Sequence, residues 1–306
     1  MKIQEKLKLV KVVSGFTQEQ LAKELGVPFV TVNSWINGKS LPHKKKQEKI
    51  DELYARFSGN KIIPESVLLA KKEFLKKKSL KRKNILNFIL KNKDISDRFV
   101  LSLTYNSNKI EGSTLTENET ANILFRKMSL ANKSLVEQIE AKNHQTAFEF
   151  LLDWLKNKKS INEELILKLH GILMNSILSN AGSYRYHSVR IVGSNIPTAN
   201  YLKIEKLMAQ LIIDINKKSE VFTKTAEMHS RFEQIHPFSD GNGRVGRLLI
   251  HVMLLKNNFP PAVILESQKN IYMKYLNKSQ TDGDLSLLDD FICDAVMFGF
   301  DFLDRK

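Results

Sequence analysis

Residues His236 to Arg247 read HPFSDGNGRVGR. This short run holds a histidine, an aspartate, two glycines around an asparagine, and two arginines. Histidine is the side chain best suited to take a proton near neutral pH, so His236 is a candidate general base. Gly241 and Gly243 let the backbone approach a ligand closely. The flanking stretches AEMHSRFEQI and LLIHVML have apolar residues at helical spacing, which makes the run a loop between two buried helices. Pro237 disfavours helix at His236. The loop opens the next helix, whose free N–H groups and positive dipole end favour an anion. Arg244 and Arg247 add charge-assisted forks for a polyphosphate. Asp240 among phosphates calls for a cation, and a hard Mg2+ held by one carboxylate plus phosphate oxygens answers that need. The run holds no strong protein nucleophile, so direct in-line transfer to a hydroxyl is simpler than a covalent intermediate. The plainer alternative is a capped loop whose aspartate pairs with its own arginines. His229 and His251 have no second ligand at zinc-like spacing and are read as ordinary satisfied histidines.

The surrounding elements are read as helical. Thr17 and Gln20 form a capping box at the start of a short helix carrying Leu21, Ala22 and Leu25. Gly26 ends it, and a second short helix begins near Pro28, faces Val32, Trp35 and Ile36 inward, and stops at Gly38 and Pro42. Two short helices around a tight glycine turn make a helix-turn-helix. SGNKIIPES (58–66) reads as a linker, so residues 1–58 form one domain and 59–306 the other. From Ser66 onward the pattern is helical, including SINEELILKLHGILMNSIL with Ser160 as its expected cap. The exception is AGSYRYHSVRIVGSNIPTAN (181–200), where VRIV is β-prone and Gly193-Ser194-Asn195 is a turn. It is read as a small β-hairpin flap. The fold class is therefore all-α, with one flap.

Composition narrows the setting. The chain has 306 residues, 42% of them hydrophobic, enough for two domains and a real core. No apolar run approaches membrane-spanning length, the first ten residues lack an apolar signal region, and a single Cys293 forms no internal disulfide. A cytoplasmic location is expected. Residues 1–94 hold 22 Lys and Arg against 9 Asp and Glu, so +13 of the net +15 lies there. That asymmetry suggests a polyanionic partner, although the run Lys71–Lys83 reads equally well as a solvated helix face.

Residues 17–42 resemble the Cro/repressor family, with Gln18, Ala22, Gly26, Val32, Trp35, Asn37 and Gly38 at the expected anchor, turn and core positions. The resemblance implies that Phe29, Val30 and Ser34 face bases and that Gln18, Thr31, Asn33 and Lys39 contact phosphates of double-stranded DNA. Apolar Phe29 and Val30 suit thymine methyls but give poor hydrogen-bonded readout. Helix-turn-helix domains often act as dimers, so a homodimer is also expected.

The run 236–247 is similar, position for position, to the Fic family signature His-Pro-Phe-x-Asp/Glu-Gly-Asn-Gly-Arg-x-x-Arg. The resemblance extends from about Ile63 onward and implies a helical Fic fold that moves AMP from ATP to a Ser, Thr or Tyr hydroxyl of a target protein. It implies His236 as base, Asp240 as Mg2+ ligand, and Gly241, Asn242 and Gly243 at the α-phosphate side. It places Arg244 and Arg247 on the outer phosphates, Phe238 in the core as an anchor, and Tyr272 near the nucleotide. Related Doc kinases carry alanine where Gly241 stands, so the AMP-transferring type is expected. SNKIEG (107–112) also resembles the family's inhibitory motif, through Ser107, Glu111 and Gly112. A carboxylate there would satisfy Arg247 in place of the γ-phosphate and inhibit the chain from within. Removal of AMP at the same site, or a DNA-binding regulator that senses nucleotide, are the alternative functions.

Overall fold

The computed structural model describes residues 2–58, 62–157, 160–191 and 196–304. The early helices are α1 (Ile3–Ser14), α2 (Gln18–Leu25), α3 (Phe29–Ile36), α4 (Lys44–Ser58), α5 (Glu65–Leu80), α6 (Ile85–Lys91), α7 (Lys93–Glu111) and α8 (Glu117–Phe125). The later ones are α9 (Leu135–Lys156), α10 (Glu163–Leu173), α11 (Ile204–Asn216), α12 (Val221–Ile235), α13 (Asn242–Lys256), α14 (Lys269–Thr281) and α15 (Ser286–Asp304). No helix among the described residues is long and apolar enough to cross a membrane. Two compact units form: Met1–Pro64 with Ser267–Leu287, and Glu65–Glu266 with Leu288–Lys306.

In the first unit, Thr17 Oγ1 accepts from Gln20 N at 3.1 Å while Gln20 Oε1 accepts from Thr17 N at 2.8 Å. This reciprocal box starts α2. Gly26 ends it at φ 64°, a left-handed turn that glycine adopts without penalty. Leu21, Leu25, Val32, Trp35 and Ile36 are buried, and Leu7, Val10, Ile50 and Leu53 of α1 and α4 complete the core. Each such side chain stabilises the unit by roughly 1.5–3 kcal/mol. Helix α14 belongs here too, and its Tyr275 Oη donates to the Arg56 carbonyl at 3.1 Å. Of the expected linker, Gly59–Lys61 lie outside the described residues.

In the second unit, α13 is apolar on nearly all sides, and Val245 and Leu248–Leu255 are buried. A helix of that composition belongs at a centre rather than on a surface. It packs against α7, α9, α10 and α12. Helix α10 is capped by Asn162, whose Oδ1 accepts from Leu165 N at 3.0 Å. The expected cap Ser160 instead gives its carbonyl to Trp154 Nε1 at 3.1 Å. In the basic run of α5, Lys72 is 4% exposed and donates to Asp289 Oδ2 at 2.5 Å and Thr223 Oγ1 at 2.6 Å. Lys71 bonds Asp290 and Asp294. These two lysines are structural ion pairs, not a solvated face.

The expected β-hairpin flap is not seen: none of the described residues lies in a strand. The turn at Gly193-Ser194-Asn195 lies outside the described residues. The described arms are irregular, and backbone groups at their feet have other partners. The His187 and Ala199 carbonyls both accept from the Arg185 guanidinium, and Ala199 N donates to Gln234 O at 3.3 Å.

Candidate active site

Helix α12 delivers His236. Its backbone turns left-handed there, at φ 51° and ψ 61°, with His236 N still bonded to Phe232 O at 2.9 Å. The following proline rules out continuation. His236 Nδ1 lies 3.2 Å from the Glu233 carbonyl, which can only accept, so Nδ1 carries the proton and Nε2 is left as the basic nitrogen. Burial holds the His236 pKa below its ordinary value; the Glu233 carbonyl opposes this and the Arg185 charge adds to it. The imidazole is therefore neutral at physiological pH.

Phe238 is fully buried and stacks on His170, with ring centroids 3.7 Å apart and planes within 8°. Asn242 closes the loop on itself: its Oδ1 accepts from Phe238 N and its Nδ2 donates to Phe238 O, both at 2.9 Å. His170 Nε2 lies 3.2 Å from the Asp240 carbonyl, and its Nδ1 accepts from Gly182 N at 2.9 Å. His170 is thus a neutral strut beneath the loop, its pKa lowered to about 4 by burial. Gly241, the N-cap of α13, sits at φ 77°, and a Cβ there would meet Met174 Sδ at 2.8 Å. It supplies no side-chain cap to the helix start, which keeps that end polar and electropositive.

The two arginines are buried but not equivalent. Arg247, 4% exposed, donates from Nε to Ser107 Oγ at 3.0 Å and from Nη2 to Ser107 O at 3.2 Å and Glu111 Oε1 at 2.6 Å. Ser107 and Glu111 stand one turn apart on the last turns of α7, and Gly112 ends that helix at φ 108°. A Cβ on Gly243 would collide with Glu111 Oε1, so this carboxylate lies directly against the loop. Arg244, 3% exposed, donates from Nη1 to Glu140 Oε1 of α9 at 2.6 Å, with Asp240 Oδ1 3.9 Å from Nη2. The Asp240 carboxylate is 63% exposed, and its Oδ1 accepts from Gly241 N at 2.6 Å.

Behind the arginines lies a buried, titratable layer. Glu233 is 6% exposed, and burial raises its pKa to about 8 despite the pull of Arg247. It is a neutral acid at pH 7, beside Gly246, where a Cβ would collide with its Oε1. Burial lowers His229 and His251 to about 3, so both are neutral core histidines.

The structure thus brings together His236, Asp240, Gly241, Asn242, Gly243, Arg244, Arg247, Ser107, Glu111 and Gly112 in the second unit. Tyr272 lies on α14 of the first unit and is 1% exposed. Sequence reasoning missed Glu140, His170, Arg185 and Glu233 as parts of the site. Of these, Arg185 stood in the stretch AGSYRYHSVRIVGSNIPTAN that was read as a flap. In the first unit, Phe29 and Val30 are 44% and 73% exposed at the start of α3, and Lys39 is exposed. Gln18, Thr31, Asn33 and Ser34 are half-buried. Ser34 Oγ is bonded to Ser40 Oγ at 2.7 Å, and Asn33 Oδ1 accepts from Asn37 Nδ2 at 2.8 Å.

Residues 160–254 match the Fic/DOC family and residues 14–55 match a helix-turn-helix family. The chain is 32% identical over 186 residues to "Protein adenylyltransferase Fic" of Nematostella vectensis, a match covering 59% of this chain and 43% of that protein. The chain therefore spans less than half the length of that curated relative. Among solved structures it is similar to a Fic domain containing signaling protein from Bacteroides thetaiotaomicron (TM-score 0.66, 24% identity, 76% of this chain and 98% of that one). It is also similar in fold to Fic-1 from C. elegans (TM-score 0.67, 18% identity, 99% of this chain and 88% of that one). With the loop, the two arginines and the capped α2–turn–α3 pair in place, the chain carries a helix-turn-helix domain followed by a Fic/DOC family domain.

Proposed function

We propose that the protein is an adenylyltransferase that moves AMP from ATP to a Ser, Thr or Tyr hydroxyl of a target protein, and that Glu111 holds it inhibited. The observation that carries this reading is the committed tautomer of His236: with Nδ1–H turned to the Glu233 carbonyl, Nε2 is free to accept the hydroxyl proton. The hydroxyl oxygen attacks the α-phosphorus, the bond to the β-phosphate breaks, and pyrophosphate leaves. The polar start of α13, with Gly241 and Gly243, accommodates the phosphates, and Arg244 and Arg247 neutralise them. Asn242 serves by locking the loop through Phe238, so its part at the α-phosphate is indirect.

Asp240 fits a magnesium ion: it is an exposed carboxylate at the loop, and the ion's remaining ligands would be phosphate oxygens and water. Among the described residues no group of three or more His, Cys, Asp or Glu could hold a metal ion. When bound, such an ion neutralises phosphate charge.

Glu111 inhibits by engaging Arg247 in place of the γ-phosphate and by occupying the space against Gly243. A second reading, removal of AMP by water, draws on the 38% exposure of the Glu111 side chain beside the loop, where it could orient a water molecule. The first unit is proposed to bind double-stranded DNA as a two-fold dimer, with Phe29 and Val30 toward bases and Gln18, Thr31, Asn33, Ser34 and Lys39 around them. A cytoplasmic setting supplies both ATP and DNA. The deciding experiment incubates the wild type and Glu111→Gly with labelled ATP and Mg2+ in a lysate. Labelled protein bands support AMP transfer, while bands that only lose a preloaded label favour removal.

A further inference from the structure

Arg185 is a guanidinium buried among carbonyl oxygens. It is 2% exposed. Its Nε donates to His236 O at 2.7 Å, Nη1 to His187 O at 2.6 Å, and Nη2 to Ala199 O at 2.6 Å and Ile235 O at 3.4 Å. Its own backbone N–H donates to Pro237 O at 3.0 Å. Two of the side-chain acceptors end α12, and the other two stand at the feet of the segment between residues 187 and 199. A buried cation is costly unless its donors are satisfied. Here the carbonyls satisfy them, and the negative end of the α12 dipole complements the charge.

This arrangement acts on the backbone of one residue in particular. His236 is a non-glycine residue in left-handed conformation, a state that costs free energy and persists only where its surroundings over-determine it. The bonds from Arg185 to the Ile235 and Pro237 carbonyls bracket that residue, and a third holds its own carbonyl. A planar fork can serve three chain segments at once; a lysine ammonium is a compact point charge and cannot span them.

We propose that Arg185 is a positioning residue that fixes the base-bearing turn at His236 and ties it to both feet of the 187–199 segment. The inference rests on His236 acting as the base. The charged groups around His236 are Arg185, Glu111 of α7 and Asp240 of the loop, with the neutral acid Glu233 on its own helix. Arg185 opposes the imidazolium, and the two carboxylates favour it. Removal of the Arg185 cation therefore moves the His236 titration toward the ordinary histidine value of about 6.5.

The test uses the full chain carrying Glu111→Gly, with Arg185→Lys and Arg185→Gln added separately. Thermal unfolding, ATP binding, kcat and KM for ATP, and the ring titration of His236 by NMR are measured on each. Both variants should fold and bind ATP with little change in KM, while kcat falls on the order of tenfold to hundredfold, as expected for a misplaced base. The His236 titration should rise in Arg185→Gln and stay near the parent value in Arg185→Lys. A folded Arg185→Gln with parental kcat and parental titration overturns the proposal. Loss of fold in both variants also overturns it, because Arg185 would then serve stability alone. If the Glu111→Gly parent transfers nothing, the base reading fails, and the ring titration still decides whether Arg185 governs His236.

Discussion

Glu111 Oε1 accepts from Arg247 Nη2 at 2.6 Å and occupies the space that a Cβ on Gly243 would need. One carboxylate thus engages the arginine proposed to bind phosphate and crowds the loop at once. Glu111→Gly is expected to raise AMP transfer, since it frees Arg247 and clears the loop together. Arg247→Ala also breaks the pair but deletes a phosphate contact, at about 1.5–3 kcal/mol, or roughly tenfold to hundredfold in rate. The double variant should resemble Arg247→Ala. Self-modification rates of all four proteins at saturating ATP decide this, and equal rates for wild type and Glu111→Gly would place control elsewhere.

His236→Ala should abolish transfer and leave ATP binding intact. The side chain is proposed to act on the incoming hydroxyl, and its ring is anchored on the Glu233 carbonyl rather than on a phosphate site. Retained transfer, with binding measured by a fluorescent nucleotide, would remove the base from the mechanism.

Asp240→Asn should shift the Mg2+ dependence of transfer to higher concentration and lower its rate, because the amide keeps an acceptor for Gly241 N but loses the charge proposed to hold a hard cation. Transfer rates over a magnesium titration check it. An unchanged titration curve would assign the ion to the nucleotide alone.

The full chain should bind duplex DNA with a steep salt dependence, and Lys39→Ala should reduce that slope by about one charge. Electrophoretic shifts across a salt series measure both. The full chain is the right material because Tyr275 of α14 bonds Arg56 inside the helix-turn-helix unit, so a fragment of residues 1–57 lacks part of its own packing. No shift at low salt would leave the unit as a protein-contact module.

Glu233 sets a pH dependence of stability. Its folded pKa is raised, chiefly by burial, from 4.5 to about 8, so the folded state keeps a proton that the unfolded chain releases. Its stabilising share is complete below about pH 4.5 and is lost as pH rises through about 8. Glu233→Gln keeps a neutral group, so its melting temperature should gain on the wild type as pH climbs through that window. A difference that stays constant with pH would mean the carboxyl is already ionised in the fold.

The sequence shows a feature when one contiguous stretch contains its cause. The Thr17–Gln20 box, the Gly26 turn and the loop from His236 to Arg247 are each local. Ser107 and Glu111 are legible as a pair because four residues make one helical turn. Glu140 was not, since it reaches Arg244 across 104 residues from a helix whose pattern only speaks of burial. The β-prone VRIV suggested a hairpin, but the neighbouring backbone carbonyls are taken by Arg185, a competition that no strand propensity records. Similarly, the run Lys71–Lys83 looks uniform in sequence, yet Lys71 and Lys72 meet acids that come more than 200 residues later.

The first unit takes its last helix from the middle of the second unit's chain. The polypeptide leaves the second unit after Glu266 and returns to it at Leu288. The two units are therefore joined by three covalent crossings, at Pro64–Glu65, Glu266–Ser267 and Leu287–Leu288. A protease that cuts only at Pro64–Glu65 would not set the helix-turn-helix free, because α14 would still hold α1–α4 by side-chain packing. The released piece should stay with the rest in a native gel and separate only in denaturant. The helix-turn-helix unit is thus completed by residues that the chain supplies more than 200 positions after its first four helices end.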